Sequence, residues 1–591
     1  VRSRRRGSAR GATGALHRRT LLVTPLGDFV GERQAIPLDR VTTLPSLPDG
    51  TRGLAVEVLD ASARALAIGR TAPLELDALA DGDTIPIAMV PPDGLCPAGA
   101  LTEPRDRAAV VRVGDGVLVV GGSATASAER YDPATESTSA LALPPAFTGP
   151  LGVIGAGVAA LPDGRAVVIG GVRPGFTIYT PGQGFGAATL LAETRAHHVT
   201  LALDDRRVLL AAGCSVVDVD GACEGGNLRR DTRVVDLLTG EVVAGPPLAI
   251  GRRDGVGVLE FGVDGRRFAL LTGGTDAAGL AVTTGERIAL DGGMPTALPG
   301  TGAALAQLDS GATLTAFAPV DTAAVTTAAV IVPGDAAPRA LPLPMPRVGA
   351  VLVTQDDGAV LALGGGLPLR YTPSQHRWDT LGDPGVTLGG APAALRWDDG
   401  TVLVFGGRDG ASATAAVWRF RPRLLGPLTG AIDVVPGDGA SEPPLAPLDP
   451  AAIVRSPGWT LPADAASWAI VGGPTAGTAR LDLALTVPAA GVDVLTGWLG
   501  VTDHDRLVLV PGQAAQFDRV RDGGRTTLCR GATVPAAGAQ DLVIELATSS
   551  VRVVVSAAVV LSCAVDDRRR GQVGVAARGA PVTVAAIAVS R

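Results

Sequence analysis

One unit recurs seven times between about residues 105 and 422: a turn, a short β-branched run, and a closing pair of small residues. Asp115-Gly116 is followed by Gly121-Gly122, Asp163-Gly164 by Gly170-Gly171, Asp205-Arg206 by Ala212-Gly213, and Asp264-Gly265 by Gly273-Gly274. Further on, Ser310-Gly311 is followed by Phe317-Ala318, Asp357-Gly358 by Gly364-Gly365, and Asp399-Gly400 by Gly406-Gly407. Asp-Gly makes a tight hairpin because glycine accepts positive φ without steric cost. The run after it is apolar and almost uncharged, as expected of a strand buried on both faces. Glycines at its end let neighbouring units approach closely. A further strand then carries Tyr131-Asp132-Pro133, Tyr179-Thr180-Pro181, or Tyr371-Thr372-Pro373 with Trp378. Each copy therefore reads as a four-stranded antiparallel unit.

The succession Asp-Gly, Gly-Gly, Tyr-Asp-Pro and Trp resembles the kelch / galactose-oxidase superfamily of β-propellers. The match is fullest in the first, sixth and seventh copies. It departs in the fifth, where Phe317-Ala318 replaces the glycines, and in the third and fourth, which lack the aromatic. The resemblance implies a propeller over residues 95–425, of seven blades or alternatively six, with Gly121, Gly122, Gly170, Gly171, Gly273, Gly274, Gly364, Gly365, Gly406 and Gly407 as its repeat glycines. It also raises a copper-oxidase site, which needs two Tyr, two His and a Cys. Tyr131, Tyr179 and Tyr371 already occupy structural strand positions. His197 and His198 are adjacent, so in a strand they would point to opposite faces. No copper, other metal or cofactor is expected, and no catalytic residue is assigned.

The third interval holds an insertion, residues 211–231, which must lie on a rim or face because strand cores tolerate no extra backbone. Cys214 and Cys223 close a short loop inside it, and Cys529 with Cys563 lies in the C-terminal region. Two local disulfides with Cys96 left over is an economical pairing, and it implies an oxidising compartment. Asp218, Asp220, Gly221 and Glu224 give only half of a calcium loop.

The flanks are also β-rich. Residues 37–94 alternate through Leu54, Val56 and Val58 and fit a small immunoglobulin-like sandwich. Residues 426–450 read as a Pro/Gly-rich linker. In residues 451–591, Leu481/Leu483/Leu485/Val487, Leu542/Ile544/Leu546 and Val551/Val553/Val555 alternate. Their last hairpin is similar to that of concanavalin-like or laminin-G-like jelly rolls, which implies adhesion or glycan binding. Asp503-His504-Asp505 reads as an exposed turn, with a cation or acid–base site as the alternative.

Composition narrows the chemistry. All 51 basic residues are arginine, so a P-loop lysine or a Schiff-base lysine is excluded. Asn227, the single asparagine, is in no glycosylation sequon. Residues 1–36 form an Arg-rich tail expected to be disordered, or an arm for polyanions. With seven of the arginines in residues 1–20 and a net charge of −7, the remainder sits near −14, which argues against nucleic acid. No secretory signal or membrane span is legible.

The expectation is an all-β, non-catalytic interaction or adhesion protein, extracytoplasmic, binding a protein or glycan through propeller loops and the C-terminal sandwich. The alternatives are a carbohydrate-active hydrolase or lyase working in a central funnel, and a structural subunit of a surface assembly.

Overall fold

A computed structural model describes residues 20–27, 34–37, 51–59, 65–72, most of 79–422, the strands at 432–434, 445–447 and 459–461, most of 468–590, and a few isolated positions. By compactness the chain divides after residue 92. Its described residues are predominantly strand, arranged as many four-stranded antiparallel sheets.

The N-terminal unit contains an antiparallel sheet whose strands lie in the order Gln34–Pro37, Thr20–Gly27, Thr51–Leu59, Ala65–Arg70. Leu21, Val23, Leu54 and Val56 bury one face, following the alternation of the sequence. The sheet therefore reaches back to residue 20, into the segment assigned to the Arg-rich tail. Leu21 and Val23 alternate and pair with Val58 and Val56, so these residues gain a core face and a ladder together. Residues 1–19 lie outside the described residues.

In the larger unit, seven antiparallel sheets follow one another among the described residues. They span 109–141, 156–185, 199–244, 256–299, 304–347, 351–380 and 393–421. The second strands are the apolar runs of the repeat, and Gly116–Val120, Ala166–Gly170, Val360–Leu363 and Val402–Phe405 are buried at every residue. The first strand of each sheet lies beside the first strand of the next, and that of the seventh lies beside that of the first, so the series closes into a cycle. Gly94–Arg105 pairs with Ser412–Arg421, so the strand ahead of the first sheet is hydrogen-bonded into the last. Tyr131, Tyr179 and Tyr371 are buried in third strands, and burial raises their phenol pKa values. The Tyr131 hydroxyl donates to the Ala98 carbonyl at 2.7 Å.

The two positions of the closing pair have separate physical reasons. The first is left-handed in all seven sheets, with φ from 58° at Ala212 and Gly406 to 95° at Gly364, and 65° even at Phe317. A Cβ on the first glycine would meet the next sheet, as Gly170 would meet the Arg195 carbonyl at 2.3 Å. A Cβ on the second would strike its own sheet, as Gly122 would strike the Asp106 carbonyl at 2.5 Å.

Beyond residue 431, strands form two seven-stranded sheets around one core. The alternating leucines, isoleucine and valines of the three runs named above are all at most 4% exposed. The expected linker contributes two short edge strands, Ile432–Val434 and Leu445–Pro447. Asp503-His504-Asp505 is not an exposed turn. It opens the strand Asp503–Leu509, with His504 and Asp505 buried, because Arg519 meets the Asp505 carboxylate at 3.0 Å. Cys529–Cys563 is bonded and joins a strand of one sheet to a strand of the other.

Candidate functional site

Each first strand is preceded by a short segment at the same end of the cycle, and these segments line a cavity of about 1700 Å³. All seven sheets contribute to its wall, much of which is Ala, Val and Gly.

A repeated arginine holds these segments. Arg105, Arg195, Arg252 and Arg347 each stand four residues ahead of a first strand and are at most 3% exposed. Each donates from Nη1 to the carbonyl of the first pair residue of its own sheet: Gly121 at 2.6 Å, Ala212 at 2.8 Å, Gly273 at 3.1 Å and Gly364 at 3.3 Å. In return, the N–H of the second pair residue of the preceding sheet reaches the arginine's own carbonyl: Gly407 to Arg105, Gly171 to Arg195 and Gly213 to Arg252, each at 2.8 Å. Three of the guanidiniums meet carboxylates, Glu129 at 2.5 Å, Asp231 at 2.8 Å and Glu286 at 3.0 Å. Arg347 instead sits over the Phe317 ring and donates to the Leu367 carbonyl, and burial pushes its pKa down to about 10. Strand register explains the difference, since Leu369 occupies in the sixth sheet the place of Glu129 and Glu286.

Two residues after the arginine the chain turns left-handed. Arg107, His197, Asp254 and Gly349 have φ of 54°, 55°, 55° and 58°, and Gly155 and Ala391 hold the corresponding place at 66° and 58°. Neighbouring turns are linked through their backbones: Arg107 N–H to Ala391 O at 3.0 Å, Ala391 to Gly349 at 2.7 Å, Asp254 to His197 at 3.0 Å and His197 to Gly155 at 2.7 Å. This rim carries Arg107, His197 and Asp254 to the cavity mouth. His197 Nδ1 and Asp254 Oδ1 are 2.7 Å apart, and the Asp254 pKa is lowered by His197, Arg107 and Arg253 against the opposing effect of burial. Arg408 pairs with Asp106 at 2.5 Å and with Asp321 at 2.6 Å. Glu103 accepts from Thr125 and Ser127, and these bonds hold its pKa below the usual range.

His198 follows at once but is turned into the wall, where burial pushes its pKa down to about 3. The two histidines precede the strand Val199–Ala202 rather than lying in it. The alternation expected of strand neighbours does not apply, and both line the cavity. Cys214–Cys223 is bonded, and Ala222 and Cys223 of the insertion form part of the same wall. Asp220 and Gly221 lie outside the described residues; the Asp218 carboxylate accepts from the Ala222 N–H at 2.9 Å. Cys96 is unbonded. The repeat glycines position the rim without supplying a functional group.

The sequence reading did not single out the arginines or the left-handed rim. The available signal was an arginine at constant distance ahead of four first strands. Among the described residues, no three His, Cys, Asp or Glu side chains are grouped as a metal site would need. Among them also, no helix is long and apolar enough to cross a membrane.

Fold and cavity together define an all-β protein of many four-stranded antiparallel sheets with a charged-rim cavity. No protein-family model and no curated protein matches the chain. Among solved structures it is similar to YjhT at 14% identity and TM-score 0.36, over 55% of this chain and 97% of that one. It is also similar to the carbohydrate-binding module CBM66 from Bacillus subtilis, at 10% identity and TM-score 0.20, over 21% of this chain and 81% of that one.

Proposed function

We propose that this chain is a seven-bladed, kelch-type β-propeller that binds a polar ligand, a glycan or a protein, at the mouth of its central channel without transforming it. The closed cycle of first strands supports the propeller. The observation that carries the binding reading is the set of polar side chains that the left-handed rim presents to the cavity mouth. Arg107, His197 and Asp254 are held at positive φ where Gly155 and Gly349 would do the same backbone work without strain. Left-handed non-glycine residues cost about 1–2 kcal/mol each, and such strain gathers at functional sites. Ala391 bears the same conformation with only a methyl group, so strain alone does not choose the residue; what supports binding is that three of the turns carry Arg107, His197 and Asp254 to the cavity mouth.

Binding is favoured over catalysis because the carboxylates of the mouth are committed to partners. Asp106 and Asp321 are on Arg408, Asp254 is on His197, and Glu103 is on hydroxyls. The C-terminal pair of sheets is then a jelly-roll accessory module of the concanavalin or laminin-G kind. The two disulfides support an oxidising, extracytoplasmic location. Ala222→Trp with Ser412→Trp, both exposed positions on the cavity wall, tests the reading on an array of glycans and surface proteins. The expected result is loss of every partner captured by the unmodified protein; capture unchanged by the two tryptophans overturns it.

The His197–Asp254 pair favours one second reading, a hydrolase or lyase. A carboxylate-oriented imidazole is the arrangement of a general base. That reading requires turnover of a glycoside by the unmodified protein and its loss in His197→Gln.

A further inference from the structure

One cation of the mouth is left over once its ion pairs are matched. Arg408 holds Asp106 at 2.5 Å and Asp321 at 2.6 Å, and His197 holds Asp254 at 2.7 Å. Arg253 is turned to the Thr275 hydroxyl and the Cys223 carbonyl. Arg107 is different. Among the described residues its nearest carboxylate oxygens belong to Asp106, at 3.8 Å, and Asp321, at 3.9 Å, both beyond hydrogen-bond reach. Its side chain is 51% exposed and lines the cavity.

The place of this guanidinium is axial. Arg107 stands ahead of the first sheet, yet it approaches Asp321 in a loop of the fifth and helps to lower the pKa of Asp254, ahead of the fourth. In the cycle of sheets the fourth and fifth lie farthest from the first, so the side chain reaches over the opening. Whatever enters the channel passes it. Arg107, Arg253 and Arg408 stand against Asp106, Asp254 and Asp321, which leaves no net charge in this cluster to repel an anion. Glu103 is held apart by the Thr125 and Ser127 hydroxyls, in the field of Arg105. A guanidinium offers its N–H donors as a planar fork that the two oxygens of a carboxylate match. Among the described lining residues there is no Phe, Tyr or Trp, so a sugar ring finds no such face to stack on and must be anchored through polar groups. A concave site walled by all the sheets admits a small molecule or a chain end rather than a flat protein surface.

Resting on the reading of this cavity as a binding site, we infer that Arg107 is its anchor for the carboxylate of an acidic saccharide, a uronic acid or the uronate end of a glycan chain. The carboxylate accepts two N–H groups of the Arg107 fork. Asp106 and Asp321 stay on Arg408, and Asp254 stays on His197, so no existing ion pair has to break.

The test is titration calorimetry on the full chain at neutral pH and low salt. Glucuronate, galacturonate and digalacturonate are the acidic probes, glucose and galactose their neutral counterparts, and a capped tetra-aspartate peptide is the protein-like acid. At least one uronate should bind, about tenfold or more tighter than its neutral counterpart, and its affinity should fall by about tenfold or more in Arg107→Gln. Arg107→Lys, which keeps the charge and loses the fork, should fall less than Arg107→Gln. Both variants should melt with the parent, since the side chain holds no close ionic partner; Arg107→Lys gives an independent reading if Arg107→Gln does not. Uronate binding unchanged in both Arg107 variants, yet lost in the double tryptophan variant, overturns the anchor and leaves the cavity reading standing. Binding unchanged in the double tryptophan variant overturns the cavity reading itself. Neutral sugars bound as tightly as the uronates, the peptide bound alone, or none of the six probes bound, overturns the ligand class.

Discussion

Acidification to about pH 4.5 should cost this fold on the order of 2–3 kcal/mol through His198 alone. Burial lowers the folded-state pKa of His198 from 6.5 to about 3. Between those values the unfolded chain binds a proton that the folded chain refuses. Stability therefore rises with pH across this window and is lost as pH falls through it, by up to about 1.4 kcal/mol per pH unit. Two units below the unfolded value correspond to roughly 3 kcal/mol at most, less the small part already lost at pH 7. Paired carboxylates such as Asp254 and Glu103, whose pKa values are lowered, release their own stability only below the ordinary carboxylate range, so they contribute little at pH 4.5. Their effect is also common to a variant and its parent. The assay is urea unfolding of the parent and of His198→Leu at several pH values from about 7 to 4.5, followed by tryptophan fluorescence and circular dichroism together so that two-state behaviour is checked. The variant should be at least as stable at pH 7 and lose on the order of 2–3 kcal/mol less than the parent on acidification. Equal losses in the two proteins would show that the imidazole charges without cost in the folded state, and would refute its burial as a neutral group.

Three further outcomes are expected. Glu129→Leu, which copies Leu369 into the first sheet, should cost about 3–5 kcal/mol by stranding Arg105, whereas Arg347→Met should cost less than about 2 kcal/mol because it strands no carboxylate; denaturant unfolding of both variants checks the order. Gly170→Ala should cost about 3 kcal/mol or more, since its Cβ would sit 2.3 Å from the Arg195 carbonyl at φ 71°, while Gly164→Ala, at φ 84° with nothing within 4 Å, should cost about 1 kcal/mol; melting temperatures give the comparison. Thiol titration of the unreduced, denatured protein should find Cys96 alone, rising to five thiols after reduction; more than one thiol before reduction would contradict the pairing of Cys214 with Cys223 and of Cys529 with Cys563.

The repeat was legible because its physics is local. A turn glycine, a doubly buried run and a left-handed pair each leave a residue signature within about ten positions, and the alternation of Leu481 to Val487 marks a core face in the same way. The strand at residues 20–27 escaped because two apolar residues carry little periodic signal until a partner strand supplies the ladder. Asp503-His504-Asp505 escaped for the opposite reason: its polarity suggested solvent, and only Arg519 on the adjacent strand makes its burial affordable.

The sequence by itself determined an all-β chain, its repeating sheets, the turns between their strands and the two cysteine pairs, since each follows from neighbours along the chain. Only the tertiary structure decided that the first strands close into a cycle, that Arg105, Arg195, Arg252 and Arg347 stitch the cavity rim, and that His197 faces Asp254 while His198 lies unpaired in the wall. The partners in each contact belong to different sheets or to distant strands of one sheet. His197 and Asp254 are 57 residues apart, and a contact at that range is set by how sheets stack, which no local pattern records.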